Sequence, residues 1–110
     1  MSPKAIAPPK GAEKGTQPVL AANTSRRKQW DKLCGSHPGA MATCYEELTK
    51  NPCPSWPTPR HHRLKGKKHA QGNGPFWEYE VGGGERVRYK EGENGEAVVV
   101  YAGPAPPDTH

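Results

Sequence analysis

Three consecutive glycines, Gly82-Gly83-Gly84, divide two runs of alternating character, Phe76-Trp77-Glu78-Tyr79-Glu80-Val81 and Glu85-Arg86-Val87-Arg88-Tyr89. Glycine turns without steric penalty, and a strand sends successive side chains to opposite faces, so this stretch predicts a β-hairpin whose register follows from the loop. With the glycines as the loop, Val81 faces Glu85, Tyr79 pairs with Val87 and Trp77 with Tyr89, leaving one face apolar. The other face then pairs Glu80 with Arg86 and Glu78 with Arg88, turned away from the core. A second turn at Asn94-Gly95 leads into Ala97-Val98-Val99-Val100-Tyr101. That unbroken apolar run suits a strand covered on both faces and completes a three-stranded meander.

Upstream, the hydrophobic period changes. Asn23-Thr24-Ser25 offers side-chain caps for a helix start, and Trp30, Leu33 and Cys34 recur at three- and four-residue spacing, predicting a helix over 25–34. Gly35-Ser36-His37-Pro38 interrupts it and places proline near the first position of a second helix. Met41, Cys44, Tyr45 and Leu48 form that helix's apolar stripe, and Asn51-Pro52 stops it. So short a connection makes the two helices an antiparallel pair. Pro52–Pro59 is too rich in proline for a helix or central strand and reads as an extended linker anchored by Trp56.

Residues 1–17 offer few large apolar side chains to offset the entropy of ordering and read as a disordered basic tail, followed by a short edge strand at Pro18–Ala22. Thirteen glycines and thirteen prolines among 110 residues agree with an ordered part shorter than the chain. The length allows one domain, over residues 18–110.

The net charge of +5 hides a division: residues 1–73 carry 13 Lys/Arg against 4 Asp/Glu, while residues 74–110 carry 3 against 7. A basic front part raises the local concentration of polyanions, although a charge run is more often a solvated face. Cys34, Cys44 and Cys53 are an odd set with no signal-peptide apolar region before them, which predicts reduced thiols in a cytoplasmic protein rather than a disulfide framework. Cys34-Gly35-Ser36-His37 contains metal-ligand types but lacks a second paired knuckle, so these thiols are read as core or surface groups rather than zinc ligands. Val19-Leu20-Ala21-Ala22 falls far short of the ~20 apolar residues of a membrane span. Gly72-Asn73-Gly74-Pro75 reads as a mobile loop, and Trp77, Tyr79 and Tyr89 as core rather than base-stacking rings.

The order of these elements, together with Leu64-Lys65-Gly66, Phe76-Trp77 and Gly84-Glu85-Arg86-Val87-Arg88-Tyr89, resembles the RelE/ParE superfamily of type II toxin-antitoxin toxins over roughly residues 18–110. The resemblance implies an α+β fold, an antiparallel helix pair packed on one face of a small antiparallel sheet. Among the ribonuclease members it implies translation inhibition by cleavage of mRNA at the ribosome, without metal or other cofactor, as the ribose 2′-hydroxyl attacks the adjacent phosphate. Such chemistry requires a cation against the phosphorane charge, a base for the hydroxyl and an acid for the leaving oxygen.

Carried over residue by residue, Arg86 falls on the arginine of a Gly-x-Arg-x-x-Tyr strand motif and would hold the scissile phosphate through a forked guanidinium. Lys65 matches the lysine of Leu-Lys-Gly and, with Lys67, Lys68 and Arg88, would grip the RNA backbone. His62 occupies the place of a carboxylate base found in some members. His110 lies in the general region of a terminal acid, beyond Pro104-Ala105-Pro106-Pro107. Glu78 and Glu80 depart from the pattern, because nuclease members carry basic residues there, and these acids would partly neutralise Arg86 and Arg88. The resemblance also admits a ParE-like, non-enzymatic inhibitor of DNA gyrase, or a degenerate toxin retained only to bind an antitoxin or nucleic acid. Each version implies a cognate antitoxin protein and no membrane partner.

Overall fold

The computed structural model describes residues 4–9, 12, 15, 17–50, 61–63, 68, 69, 72, 73 and 76–104, with the backbone alone at 62, 63, 68, 69, 72 and 73. The elements in chain order are β1 (Lys4–Ala5), β2 (Val19–Ala21), α1 (Thr24–Ser36), α2 (Pro38–Lys50), β3 (His61–Arg63), β4 (Lys68–His69), β5 (Gly72–Asn73), β6 (Trp77–Gly82), β7 (Glu85–Glu91) and β8 (Ala97–Pro104). The fold is α+β: a helix pair packed on one face of a six-stranded sheet ordered β1-β2-β8-β7-β6-β3.

The helix pair begins and breaks at polar and proline signals. The Asn23 side chain accepts the Arg26 N–H at 3.0 Å, satisfying a donor that the first turn of α1 leaves open. His37 separates the helices, its N–H donating to the Leu33 carbonyl at 2.7 Å, and Pro38 opens α2. Trp30 and Leu33 of α1 and Met41, Cys44, Tyr45 and Leu48 of α2 are buried against Tyr79, Val81, Val87, Tyr89, Val99 and Ala102 of the sheet. This is the core that the three- and four-residue spacing predicts.

The β6–β7 register is the predicted one at four positions: Trp77 with Tyr89, Glu78 with Arg88, Tyr79 with Val87 and Glu80 with Arg86. It differs at the loop. Gly82, not Val81, lies opposite Glu85, because the register shifts between Glu80 and Gly82. The glycines at 82, 83 and 84 all take positive φ, which an L side chain rarely adopts. A second irregularity, between Arg88 and Tyr89, leaves Val100 without a Cα partner on β7. That bulge brings Val99 and Ala102, three residues apart, into the same core. Ala97 to Val100 are all buried, as the apolar run predicts for a strand covered on both faces.

The amino-terminal segment departs from the expectation of a disordered tail. β1 pairs antiparallel with β2, so β2 is not an edge strand, and β2 runs parallel to β8. Ile6 is buried in the core with its N–H on the Val19 carbonyl at 2.8 Å. Thr49, fully buried at the end of α2, accepts the Gly15 N–H at 3.1 Å and donates its hydroxyl to the Gln17 carbonyl. Among the described residues, Ile6, the half-buried Ala12 and a few hydrogen bonds fasten this segment, a pattern that composition does not reveal. Gly72–Asn73, read as loop, pairs with Lys68–His69. The Pro52–Pro59 linker with Trp56 lies outside the described residues.

If Ile6 belongs to the core, Ile6→Ala lowers stability by about 2–4 kcal/mol in urea unfolding, as buried aliphatic truncations do. A loose tail would leave the midpoint unchanged.

Candidate functional site

Strand alternation sends Tyr79, Val87 and Tyr89 to the helices and leaves Glu78, Glu80, Arg86 and Arg88 on the opposite face of the β6–β7 pair. These four side chains form one row of alternating charge. Arg88 Nε donates to Glu78 Oε2 at 3.1 Å, Arg86 Nε lies 3.6 Å from Glu78 Oε1, and Arg86 Nη2 lies 3.4 Å from Glu80 Oε1. Side-chain exposure rises along the row, from 0% at Arg88 and 3% at Glu78 to 19% at Arg86 and 38% at Glu80. The face predicted to look away from the core is therefore buried at one end and open at the other.

Two physical situations result. Arg88 and Glu78 are a dry, hydrogen-bonded ion pair, in which removing either charge takes a close counter-charge from a buried group. Arg86 is held less closely. Its Nη1 donates to the Glu85 carbonyl at 3.0 Å, but its carboxylate contacts exceed the 2.7–2.9 Å of a good charge-assisted hydrogen bond, and its buried Nε has no hydrogen-bond partner. A guanidinium carries five N–H donors, so Arg86 retains unused capacity along its Nε–Nη2 edge.

The sequence-predicted residues are only partly brought together. Arg86 and Arg88 stand on one face of β7, but Arg88, expected to touch RNA, is fully buried on Glu78 and presents no surface to a ligand. His62 takes the β3 position opposite Glu78, which puts His62, Glu78 and Arg88 in one row across three strands at the backbone level. Lys68 lies in β4, on a separate two-stranded sheet. Lys65, Lys67 and His110 lie outside the described residues.

His61 was not singled out by sequence, yet the structure gives it a specific place. It is buried opposite Tyr79, and its Nε2 shares a hydrogen bond with the Tyr89 hydroxyl. Its ring centroid lies 6.0, 5.4 and 5.7 Å from those of Trp77, Tyr79 and Tyr89. The contact fastens edge strand β3 to the core and gives the motif tyrosine a structural partner. In sequence His61 and His62 look alike, and only the strand register separates them.

Other chemistry is confined. Burial pushes the Cys34 thiol up, with Asp31 adding to the effect and Arg27 opposing it, while burial drives Cys44 well above its ordinary value. A thiol raised in this way favours its protonated form, the poorer nucleophile. Among the described residues no group of three or more His, Cys, Asp or Glu side chains is placed to hold a metal ion, and no helix is long and apolar enough to cross a membrane. A hollow of about 460 Å³ beside the β7–β8 turn is lined by Glu91, Glu93 and Glu96 against the one cation Lys90, a net negative composition that disfavours phosphate.

The ion pair makes an asymmetric prediction. Glu78→Gln takes the hydrogen-bonded carboxylate from buried Arg88 and costs about 3–5 kcal/mol, whereas Glu78→Met combined with Arg88→Met costs much less, because replacing both charges removes the desolvation penalty. Denaturant unfolding of both variants measures the difference.

Comparison of the chain with protein-family models, characterised proteins and solved structures gives no match, so the fold and this charge row carry the functional argument.

Proposed function

We propose that this chain is the toxin component of a type II toxin-antitoxin system, acting in the cytosol as a metal-independent, ribosome-associated mRNA endonuclease of the RelE/ParE type. The observation that carries the reading is Arg86. It sits on β7 within Gly84-Glu85-Arg86-Val87-Arg88-Tyr89, it keeps outer surface where Arg88 has none, and it holds unused donors on one edge. An oxyanion that bridges the Nε–Nη2 edge would receive two parallel hydrogen bonds in place of two loose contacts.

In the proposed reaction the ribose 2′-oxygen forms a bond to phosphorus as the bond to the 5′-oxygen breaks, giving a cyclic phosphate and a free 5′-hydroxyl. Arg86 would offset the charge that gathers on the phosphorane, where preorganised donors are most effective. His62, opposite Glu78 in register, is the candidate base for the 2′-hydroxyl proton, and an imidazole titrates in a range suited to that work. His110 is the candidate acid for the leaving oxygen. Lys65, Lys67 and Lys68 would hold the RNA backbone, and a cognate antitoxin would cover the face.

The charge balance of the row favours a second reading. Two arginines face two glutamates, leaving little net charge for phosphate, which a ParE-like, non-enzymatic inhibitor of DNA gyrase would not need.

Sequencing of RNA 5′ ends after brief induction in bacteria separates the two. Cleavage predicts new ends inside translated messages, reduced about 10²–10³-fold by Arg86→Ala, the usual loss when one donor to a developing oxyanion is removed. Growth arrest with intact messages and damaged DNA would reject the nuclease reading in favour of gyrase.

A further inference from the structure

The charge row has one weak link, Glu80, which meets Nη2 on the same guanidinium edge as the unpartnered Nε of Arg86. Arg86 meets two carboxylates along a single edge, and the two differ in every respect that governs exchange. Glu78 is 3% exposed and is already committed to Arg88 through the 3.1 Å hydrogen bond. Glu80 is 38% exposed, approaches Arg86 Nη2 no closer than 3.4 Å, and directly precedes the register shift between Glu80 and Gly82. Ion pairs this open contribute little, because water solvates the separated charges nearly as well. Turning the Glu80 side chain to solvent therefore requires little energy.

We infer that Glu80 is a displaceable carboxylate gate over Arg86: an RNA phosphate takes the Nε–Nη2 edge as Glu80 turns to solvent, while Glu78 stays on Arg88. The inference rests on the RNA-directed reading above and adds its control. The departure of Glu80 leaves two arginines sharing the single carboxylate of Glu78, so the open end of the row at Arg86 becomes positive. The gate closes the site to weak anions, which cannot repay the lost contact, and opens to a phosphate that makes two hydrogen bonds.

The test measures binding of a short single-stranded RNA, methylated at every 2′-oxygen so that it cannot be cut, to the full chain at physiological salt. Glu80→Gln keeps the shape of the side chain and removes its charge; the gate predicts about fivefold tighter binding, the scale of one exposed ion pair. Glu93→Gln makes the same change of net charge on the exposed β7–β8 turn and alters affinity by less than about twofold, because screening limits distant charges. In an Arg86→Ala background, Glu80→Gln has no effect. The inference is overturned if Glu80→Gln binds as the parent does, or if its gain survives without Arg86. Message cleavage is scored separately in cells. Arg86-dependent cleavage without the Glu80→Gln gain removes the gate and leaves the nuclease, whereas the gain without cleavage leaves an RNA-binding gate and removes the nuclease.

Discussion

The buried pair of Arg88 and Glu78 sets the conditions for the rest of the sheet. A one-residue slip between β6 and β7 would break their hydrogen bond, and turning either strand over would carry a charge into the helix-facing core. Neither partner can be left alone in so dry a place, so the native register is separated from its neighbours by several unpaired charges. The pair need not add net stability to do this, since desolvation offsets much of its attraction. What it supplies is uniqueness. Once β6 and β7 are aligned, Tyr79, Val87 and Tyr89 form a continuous apolar face, and the stripe of α2 has one surface on which to pack.

That alignment is legible in the sequence because every cue is local. The glycine triplet marks the loop, alternation marks the faces, and Asn23 and Pro38 mark helix starts where α1 and α2 begin. The unread features are those that alternation and composition do not encode. A period of two tells which side chains share a face, not whether that face is covered, so Glu78 and Arg88 pass for solvent residues. The run of four buried residues from Ala97 to Val100 was the only hint of a second covered face, and it lies on the neighbouring strand. The docking of β1 and the parallel pairing of β2 with β8 depend on contacts distant in sequence. The shift that puts Gly82 rather than Val81 opposite Glu85 depends on where within three permissive glycines the loop closes.

The same limit shapes the candidate site. The motif strand presents Arg86 and Arg88 as equivalents, two apart and therefore on one face. Structure separates them by depth: Arg88 is part of the interior, and Arg86 reaches the surface. Tyr89 of the motif turns to the other side and joins His61, so one six-residue stretch supplies the cation of a buried ion pair, a partly exposed cation and a core hydrogen-bond partner. Motif likeness weighs these residues equally, while burial assigns them different tasks.

The distribution of charge gives the open end of the row its logic. Residues 1–73 carry 13 basic against 4 acidic side chains, enough to draw polyanions over a distance set by screening. Attraction of that kind does not discriminate, and an unopposed arginine at the end of it would hold any phosphate that arrived. With Glu78 committed to Arg88 and Glu80 resting on Arg86, the charge row is locally neutral although residues 1–73 are basic. On the proposed reading, approach would be governed by long-range charge, and retention by whether the arriving group can outcompete one loosely held carboxylate. Separating the two steps gives selectivity that neither net charge nor a lone guanidinium provides.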